Sequence, residues 1–189
     1  MRTSATDPIR IDAVQVATGG RLGLTFCPGK RDPYARGGGW WRDLDADLDA
    51  IVAWGACAVL CLLEPHELEL LAVPGLADGV ITRGMDWHHL PIRDVDVPDD
   101  RFEQGWPAVR DSLGTRLCVG EAVVVHCRGG LGRSGLAAAR LLIALGTMPR
   151  DAIRQVRAVR PGAIETLAQE RHVLASAEAA AGNDQGGAG

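Results

Sequence analysis

The chain has 189 residues, of which 47% are hydrophobic, and its formal net charge is −4 at pH 7. This length and apolar content suit one domain with a packed core. An acidic chain without a basic stripe is not expected to bind nucleic acid. It has no apolar run of about 18 residues that would indicate a membrane span. The five cysteines form neither a paired zinc motif nor a disulfide framework, so we expect free thiols in a reducing, cytoplasmic setting.

Predicted strands alternate with predicted helices along the chain, which favours a largely parallel sheet packed between helices. Residues 10–18 and 21–26 are typical of a hairpin, and the Pro- and Gly-rich residues 27–41 are typical of a loop. The later elements are a helix at 43–55, a buried strand at 57–63, a short helix at 64–73, a weaker strand at 85–92, a helix at 101–117, a buried strand at 121–127, and helices at 134–146, 149–160 and 165–180. We expect one domain over residues 1–180 and a disordered tail over 181–189.

The stretch VVVHCRGGLGRSG, residues 123–135, concentrates the residues that indicate chemistry. Cys127 ends a predicted buried strand, and the five residues between it and Arg133 include three glycines. Glycines allow a loop to turn its N–H groups inwards as a nest for an anion, and the helix that begins near Ser134 adds free N–H groups and a positive dipole end. Arg133 can hold two phosphate oxygens with its planar guanidinium. The loop is therefore predicted to bind a tetrahedral dianion.

The same surroundings would activate Cys127 as a nucleophile. A helix N-terminus and a nearby cation favour the thiolate form of a cysteine, and a thiolate beneath a bound phosphate can attack phosphorus in line. We expect His126 to hold the loop by hydrogen bonds from its ring, and Ser134 to donate a hydrogen bond to the sulfur. The loop lacks the G-x-x-x-x-G-K-[ST] pattern of nucleotide-binding loops, so a catalytic site is favoured over both a nucleotide loop and a structural turn.

These residues resemble the signature H-C-x5-R-[ST] of the cysteine-dependent protein phosphatases. VHCRGGLGRSG, HHLPIRDVDVP (88–98) and RPGAIETLAQ (160–169) are most similar to the kinase-associated phosphatase, or cyclin-dependent kinase inhibitor 3, family within the dual-specificity group. The first half resembles that family more loosely, through FCPGK (26–30). The resemblance implies an α/β fold in which the phosphate loop joins the central strand of a mostly parallel sheet to a buried helix. It also implies hydrolysis of phosphotyrosine, and of phosphoserine or phosphothreonine, in a protein, without metal or cofactor.

The resemblance assigns roles to the loop residues. Cys127 would be the nucleophile that forms a phosphocysteine, and Arg133 would bind phosphate and stabilise the transition state. The loop amides that would share in phosphate binding are those of Arg128, Gly129, Gly130, Leu131, Gly132 and Arg133. An aspartate should protonate the leaving group. Alignment on the two histidines and Pro91 favours Asp94 for this role, with Asp96 as the alternative.

Two positions in the last family-like segment either complete the implied site or belong to an ordinary helix surface. Gln169 matches a glutamine whose amide positions the water that hydrolyses the phosphocysteine. Glu165 stands where the family usually carries another glutamine. A negative charge there is unfavourable beside a phosphate, unless Glu165 points away from the site or acts on the water.

Outside the motifs, two groups of residues receive structural interpretations. Cys57 and Cys61, four residues apart on a predicted strand, should share one face of the sheet in the core. Arg154, Arg157 and Arg160 have helical spacing and indicate a solvated helix face.

Two other functions stay open on the sequence alone. One is a phosphatase of phosphoinositides or small phosphorylated metabolites, although lipid-directed relatives tend to carry lysines inside the loop, where this chain has only Arg128. The other is a phosphate-binding module with weak catalysis, against which Cys127, Arg133 and a candidate acid all argue. We expect a monomer that acts on a phosphorylated protein, with no nucleic-acid or membrane partner.

Overall fold

The computed structural model describes residues 1–35 and 37–183. Its strands are β1 (Asp12–Gln15), β2 (Arg21–Phe26), β3 (Arg31–Asp32), β4 (Trp40–Trp41), β5 (Ala56–Cys61), β6 (Asp86–His89) and β7 (Ala122–Cys127). Its helices are α1 (Leu44–Ala53), α2 (Pro65–Leu70), α3 (Leu76–Thr82), α4 (Asp100–Cys118), α5 (Gly132–Ala144), α6 (Pro149–Val159) and α7 (Leu167–Asn183). Helix α7 includes residues 181–183, which the sequence analysis placed in the tail. The rest of that tail, residues 184–189, lies outside the described residues.

Five strands form the main sheet in the order β1-β2-β7-β5-β6. Strands β2, β7, β5 and β6 are parallel, and only β1 pairs antiparallel, as the first arm of the predicted hairpin. All six residues of β7 are buried, as expected for a central strand covered on both faces. The predicted fold class is confirmed: a mostly parallel sheet flanked by helices, with the 128–131 loop joining its central strand to α5.

The core consists of two apolar layers, one on each face of the sheet. Along β5 and the two residues after it, Ala58, Leu60 and Leu62 belong to the layer beneath α4, α5 and α7, whereas Val59, Cys61 and Leu63 belong to the layer beneath α1 and α3. Cys57 packs against the first layer, so the prediction that it shares a face with Cys61 is wrong. The reason is a bulge: Ala56 and Ala58 pair with consecutive residues of β7, which leaves Cys57 as an extra residue that reverses the alternation.

Several short elements escaped prediction. The predicted loop at 27–41 contains β3 and β4, which pair with each other but are too short to show a period of two. Helix α3 was missed because it has only seven residues and contains a glycine. Helix α4 continues through Pro107. The face of α4 that is turned to the core buries Phe102, Trp106 and Leu113. None of the described helices is long and apolar enough to cross a membrane.

Candidate active site

Cys127 lies at the carboxyl end of β7, where the phosphate loop begins, and its side chain is almost fully buried. The backbone N–H of Gly130 donates to Cys127 Sγ over 3.2 Å, and Ser134 Oγ lies 3.6 Å from the same sulfur. Helix α5 begins at Gly132, so its free N–H end faces the loop. The two groups that the sequence predicted to act on the sulfur, the Ser134 hydroxyl and the N-terminus of α5, therefore lie close to Cys127 Sγ.

Two glycines of the loop are required by their surroundings. Gly130 has a φ of +71°, and a Cβ atom there would lie 2.5 Å from the backbone of Thr25 on β2. A Cβ atom at Gly132 would lie 2.6 Å from Glu165 Oε2 and 3.0 Å from the side-chain amide of Gln169. Side chains at these positions would displace either the neighbouring strand or the residues over the loop.

Three consecutive carbonyl groups of the loop are bound by cationic side chains. Lys30 Nζ donates to the carbonyl of Arg128 over 3.0 Å. Arg160 donates from Nη2 to the carbonyl of Gly129 over 3.2 Å and from Nε to that of Gly130 over 2.9 Å. In a trans peptide the C=O and N–H groups point in opposite directions. Holding the Gly129 carbonyl outwards therefore directs the N–H of Gly130 towards Cys127 Sγ.

The spacing predicted that Arg160 lies on a solvated helix face, and this prediction is wrong. Helix α6 ends at Val159, so Arg160 is its C-cap and leaves the helical periodicity. Its side chain is 13% exposed, and its Nη1 pairs with Asp12 Oδ2 on β1 over 2.7 Å. Arg160 thus connects the amino-terminal hairpin to the phosphate loop, a role that nothing in the local sequence indicated.

Arg133 is buried among three acceptors. Its guanidinium binds Glu67 with Nη1 to Oε2 at 2.5 Å and Nη2 to Oε1 at 2.9 Å, and Nη1 also donates to the carbonyl of Ile92 over 3.0 Å. Nη2 additionally pairs with Asp94 Oδ1 at 2.7 Å. These bonds fix the plane of the guanidinium over the loop before any substrate binds.

Glu67 was missed by the sequence analysis. Burial alone would raise the pKa of its carboxyl group, but hydrogen bonds from Arg133 and from the backbone of Glu64 lower it, and the net shift is downwards. The carboxylate is therefore ionised and holds Arg133. Its local pattern indicates only a helix start, since it accepts from the Glu64 N–H three residues earlier. No sequence spacing links it to Arg133.

The two candidate acids lie on opposite sides of a strained residue. Val95 has a φ of +63°, which is rare for a β-branched side chain. Asp94 on one side contacts Arg133 and lines a cavity of about 690 Å³ over the phosphate loop. Asp96 on the other side accepts from the N–H of Val97 over 2.8 Å and does not line this cavity. This placement supports Asp94 as the acid, as the alignment predicted.

Gln169 and Glu165 both lie next to Gly132, at the start of α5. Gln169 is fully buried and donates from Nε2 to the carbonyl of Asp96 over 3.1 Å, so it joins α7 to the acid-bearing loop. Glu165 is exposed at the same cavity, and its carboxylate does not point away from the loop. Of the two outcomes allowed for Glu165, the arrangement supports action on the water.

His126 is fully buried, and among the described residues neither ring nitrogen has a hydrogen-bond partner. The backbone of Cys127 nevertheless acts on the ring as a weak hydrogen-bond partner. Of the ring hydrogen bonds expected to hold the loop, only this weak contact at its first residue is found. Burial is the main cause that lowers the pKa of His126 to about 3, so the ring is neutral at pH 7.

Comparison with protein families gives one domain-level match. A model described as "PTP-SAK: Swiss Army Knife protein, DSP-PTPase phosphatase domain" matches residues 42–173. Cyclin-dependent kinase inhibitor 3 of Mus musculus is 34% identical over 154 residues, which cover 80% of this chain and 69% of that protein. The Homo sapiens protein of the same name is 32% identical over 155 residues, with the same coverage.

Solved structures give the same result. A kinase-associated phosphatase whose catalytic-site cysteine was replaced by serine matches with a TM-score of 0.80 at 29% identity, covering 93% of this chain and 97% of that one. The active form of Tk-PTP matches with a TM-score of 0.65 at 30% identity, covering 89% and 97%.

Proposed function

The chain belongs to the DSP-PTPase family of dual-specificity protein phosphatases, and from this premise we propose that it dephosphorylates proteins through a phosphocysteine at Cys127. It is a protein phosphatase; the residues that carry out the reaction are our proposal. One observation carries it: the sulfur of Cys127 accepts a hydrogen bond from Gly130 N–H, in a loop whose carbonyls are held outwards and whose arginine is pre-oriented.

In the first step, the Cys127 thiolate attacks phosphorus, so that an S–P bond forms and the P–O bond to the leaving group breaks. The loop N–H groups and Arg133 bind the phosphoryl oxygens and stabilise the charge that builds up on them. A bound phosphate would compete with Asp94 for Arg133 Nη2. Released from that ion pair, the Asp94 carboxylate takes up a proton from solvent and donates it to the leaving oxygen as the P–O bond breaks.

In the second step, water attacks phosphorus and the S–P bond breaks. Asp94, now a carboxylate, accepts a proton from the water, while Ser134 Oγ donates a hydrogen bond to the departing sulfur, which stabilises the thiolate. Gln169 and Glu165 lie beside Gly132, where they orient the water. Glu165 in place of a glutamine adds a second carboxylate that can accept the proton of the water.

The proposed substrate is a phosphorylated protein, with phosphotyrosine and also phosphoserine or phosphothreonine as the reacting side chain. We propose that the enzyme acts as a monomer. All five cysteines are free, which supports a reducing, cytoplasmic location.

The decisive experiment replaces Cys127 with Ser. We expect turnover of a phosphotyrosine peptide under reducing conditions to fall below detection while the variant still binds the peptide, because only the nucleophile is lost. Mass spectrometry of rapidly quenched wild-type enzyme should find one added phosphoryl group, absent in the variant. Cys118→Ser, a change at an exposed cysteine, is the control and should be fully active. Turnover retained by Cys127→Ser would refute the proposal.

A further inference from the structure

Cationic side chains line the cavity over the phosphate loop, and some of them pair with a carboxylate whereas others do not. The five cations that line it are Arg2, Arg10, Lys30, Arg128 and Arg160. Arg10 and Arg160 pair with Asp12, and Arg128 pairs with Asp32. Among the side chains that the structure describes, those of residues 1–35 and 37–176, no carboxylate lies within 4.0 Å of the charged nitrogens of Lys30 or Arg2.

Lys30 carries a buried ammonium group whose hydrogen bonds are incomplete. The residue is 5% exposed, and its Nζ lies 4.8 Å from the ring centroid of Phe26 and 4.7 Å from that of Trp40. An ammonium has three N–H donors, and the carbonyl of Arg128 is the acceptor found among the described residues. Aromatic faces stabilise a cation but do not replace a counter-charge, so this placement is unfavourable without an anion.

Arg2 lies against the same aromatic ring. Its guanidinium carbon is 3.6 Å from the centroid of Trp40, and its buried Nε has no hydrogen-bond partner among the described residues. Burial lowers the pKa of Lys30 to about 8; the nearby Asp32 carboxylate opposes this shift and the charge of Arg2 adds a smaller effect in the same direction as burial. Three cations therefore lie at Trp40: Arg42 is neutralised by Asp47, whereas Lys30 and Arg2 have no carboxylate in direct contact among the described side chains, and an incoming anion would satisfy both.

We propose that Lys30 and Arg2 form a second anion subsite beside the phosphate loop, which binds the carboxylate of an acidic residue close to the phosphorylated side chain of a protein substrate. Lys30 already contacts the first carbonyl of the loop, so the subsite adjoins the phosphate socket. A guanidinium and a carboxylate can form two parallel hydrogen bonds. The cavity is also lined by Tyr34, which is 95% exposed, and offers an aromatic surface to the flanking peptide.

The subsite rests on the proposed phosphatase function, so its test uses binding as well as turnover. In the Cys127→Ser background, calorimetry would compare phosphotyrosine peptides flanked by two Glu on each side with matched peptides flanked by Gln. We expect the Glu peptide to bind about tenfold more tightly, which corresponds to about 1.4 kcal/mol. Adding Lys30→Met or Arg2→Met should reduce this ratio towards one. Adding Arg150→Met, which removes an exposed charge outside the cavity, should preserve it.

The other outcomes would overturn the subsite, the class of ligand assigned to it, or the proposed function. If the Glu and Gln peptides bind Cys127→Ser with nearly equal affinity, the subsite is overturned. An equal loss of affinity for both peptides in Lys30→Met also overturns it and leaves Lys30 as an anchor of the loop. A Lys30-dependent gain seen with a soluble doubly phosphorylated inositol but not with the Glu peptide overturns the assignment to protein segments. Absence of turnover by the wild-type enzyme would refute the proposed function, whereas the affinity ratio would still decide the subsite.

Discussion

The two loops that meet over the candidate site are held in different ways. The phosphate loop, residues 127–133, is clamped by β2 at Gly130, by cations on three carbonyls and by Glu67 on its arginine. The acid-bearing loop, residues 93–98, contains a valine at positive φ and depends on two side chains from elsewhere, Arg133 and Gln169. The phosphate loop is thus held from several sides, whereas the acid-bearing loop is held by few contacts.

This difference matches the chemistry that each loop is proposed to perform. Phosphate binding benefits from dipoles that are oriented before the substrate arrives. A general acid must instead leave Arg133, meet the leaving oxygen and return as a base. A strained, half-exposed loop permits that exchange, since its contacts are few.

Glu67 gives the largest expected effect, because the rigidity of the phosphate loop depends on it. Glu67→Gln would remove the buried charged partner of Arg133 and leave it only the half-exposed Asp94, and breaking a buried ion pair costs about 3 kcal/mol. We expect the free energy of unfolding in urea to fall by about this amount. Glu69→Gln makes the same chemical change on the exposed face of α2 and should have little effect. Similar losses for the two variants would show that Glu67 does not support the loop.

Asp94 and Asp96 test the acid-bearing loop. Asp94→Asn should lower kcat about 100-fold, as expected for loss of a general acid, and more for phenyl phosphate than for para-nitrophenyl phosphate, whose leaving group needs less protonation. Asp96→Asn should stay close to wild type, because its side chain faces Val97. The reverse order of the two variants would transfer the role of acid to Asp96.

His126, on the strand that leads into the phosphate loop, should make the stability sensitive to acid. Its native pKa of about 3 lies below the usual value of about 6.5, so between these values the unfolded chain binds a proton that the native state does not. Stability therefore falls as the pH falls from 6.5, by about 2 kcal/mol at pH 5 from this group. Urea unfolding at pH 7 and pH 5 should show a smaller difference for His126→Gln.

An NMR titration provides the control for His126. The ring of His126 should stay neutral down to pH 5, so its ring-proton shifts should not change between pH 7 and pH 5. Equal pH dependence of stability in wild type and His126→Gln would contradict the assignment.

Arg160 gives the smallest expected change. Arg160→Met removes the bonds to the carbonyls of Gly129 and Gly130, and we expect kcat/KM for para-nitrophenyl phosphate to fall about tenfold, or about 1.4 kcal/mol. Arg154→Met on the solvated face of α6 is the matched control, since its side chain is 74% exposed. If both variants keep full activity, the carbonyl contacts do not orient the loop.

The sequence predicted the phosphate loop well because its parts are consecutive. A strand, a cysteine, glycines, an arginine and a helix start occupy residues 123–135, so their relation in space follows from local geometry. The central position of β7 followed from its uninterrupted apolar run. Cys57 shows the limit of such periodicity, since one extra residue in β5 reversed the face to which it points.

By itself, the sequence determined the sheet, the loop between its central strand and a buried helix, and the proposed nucleophile within that loop. Only the tertiary structure decided which distant residues complete the site. Glu67 reaches Arg133, Arg160 reaches two loop carbonyls, Gln169 reaches the acid-bearing loop, and Lys30 lies with Arg2 at Trp40. These pairs are separated by between 28 and 73 positions, and a pairing across such distances is fixed by how the helices pack on the sheet rather than by any pattern along the chain.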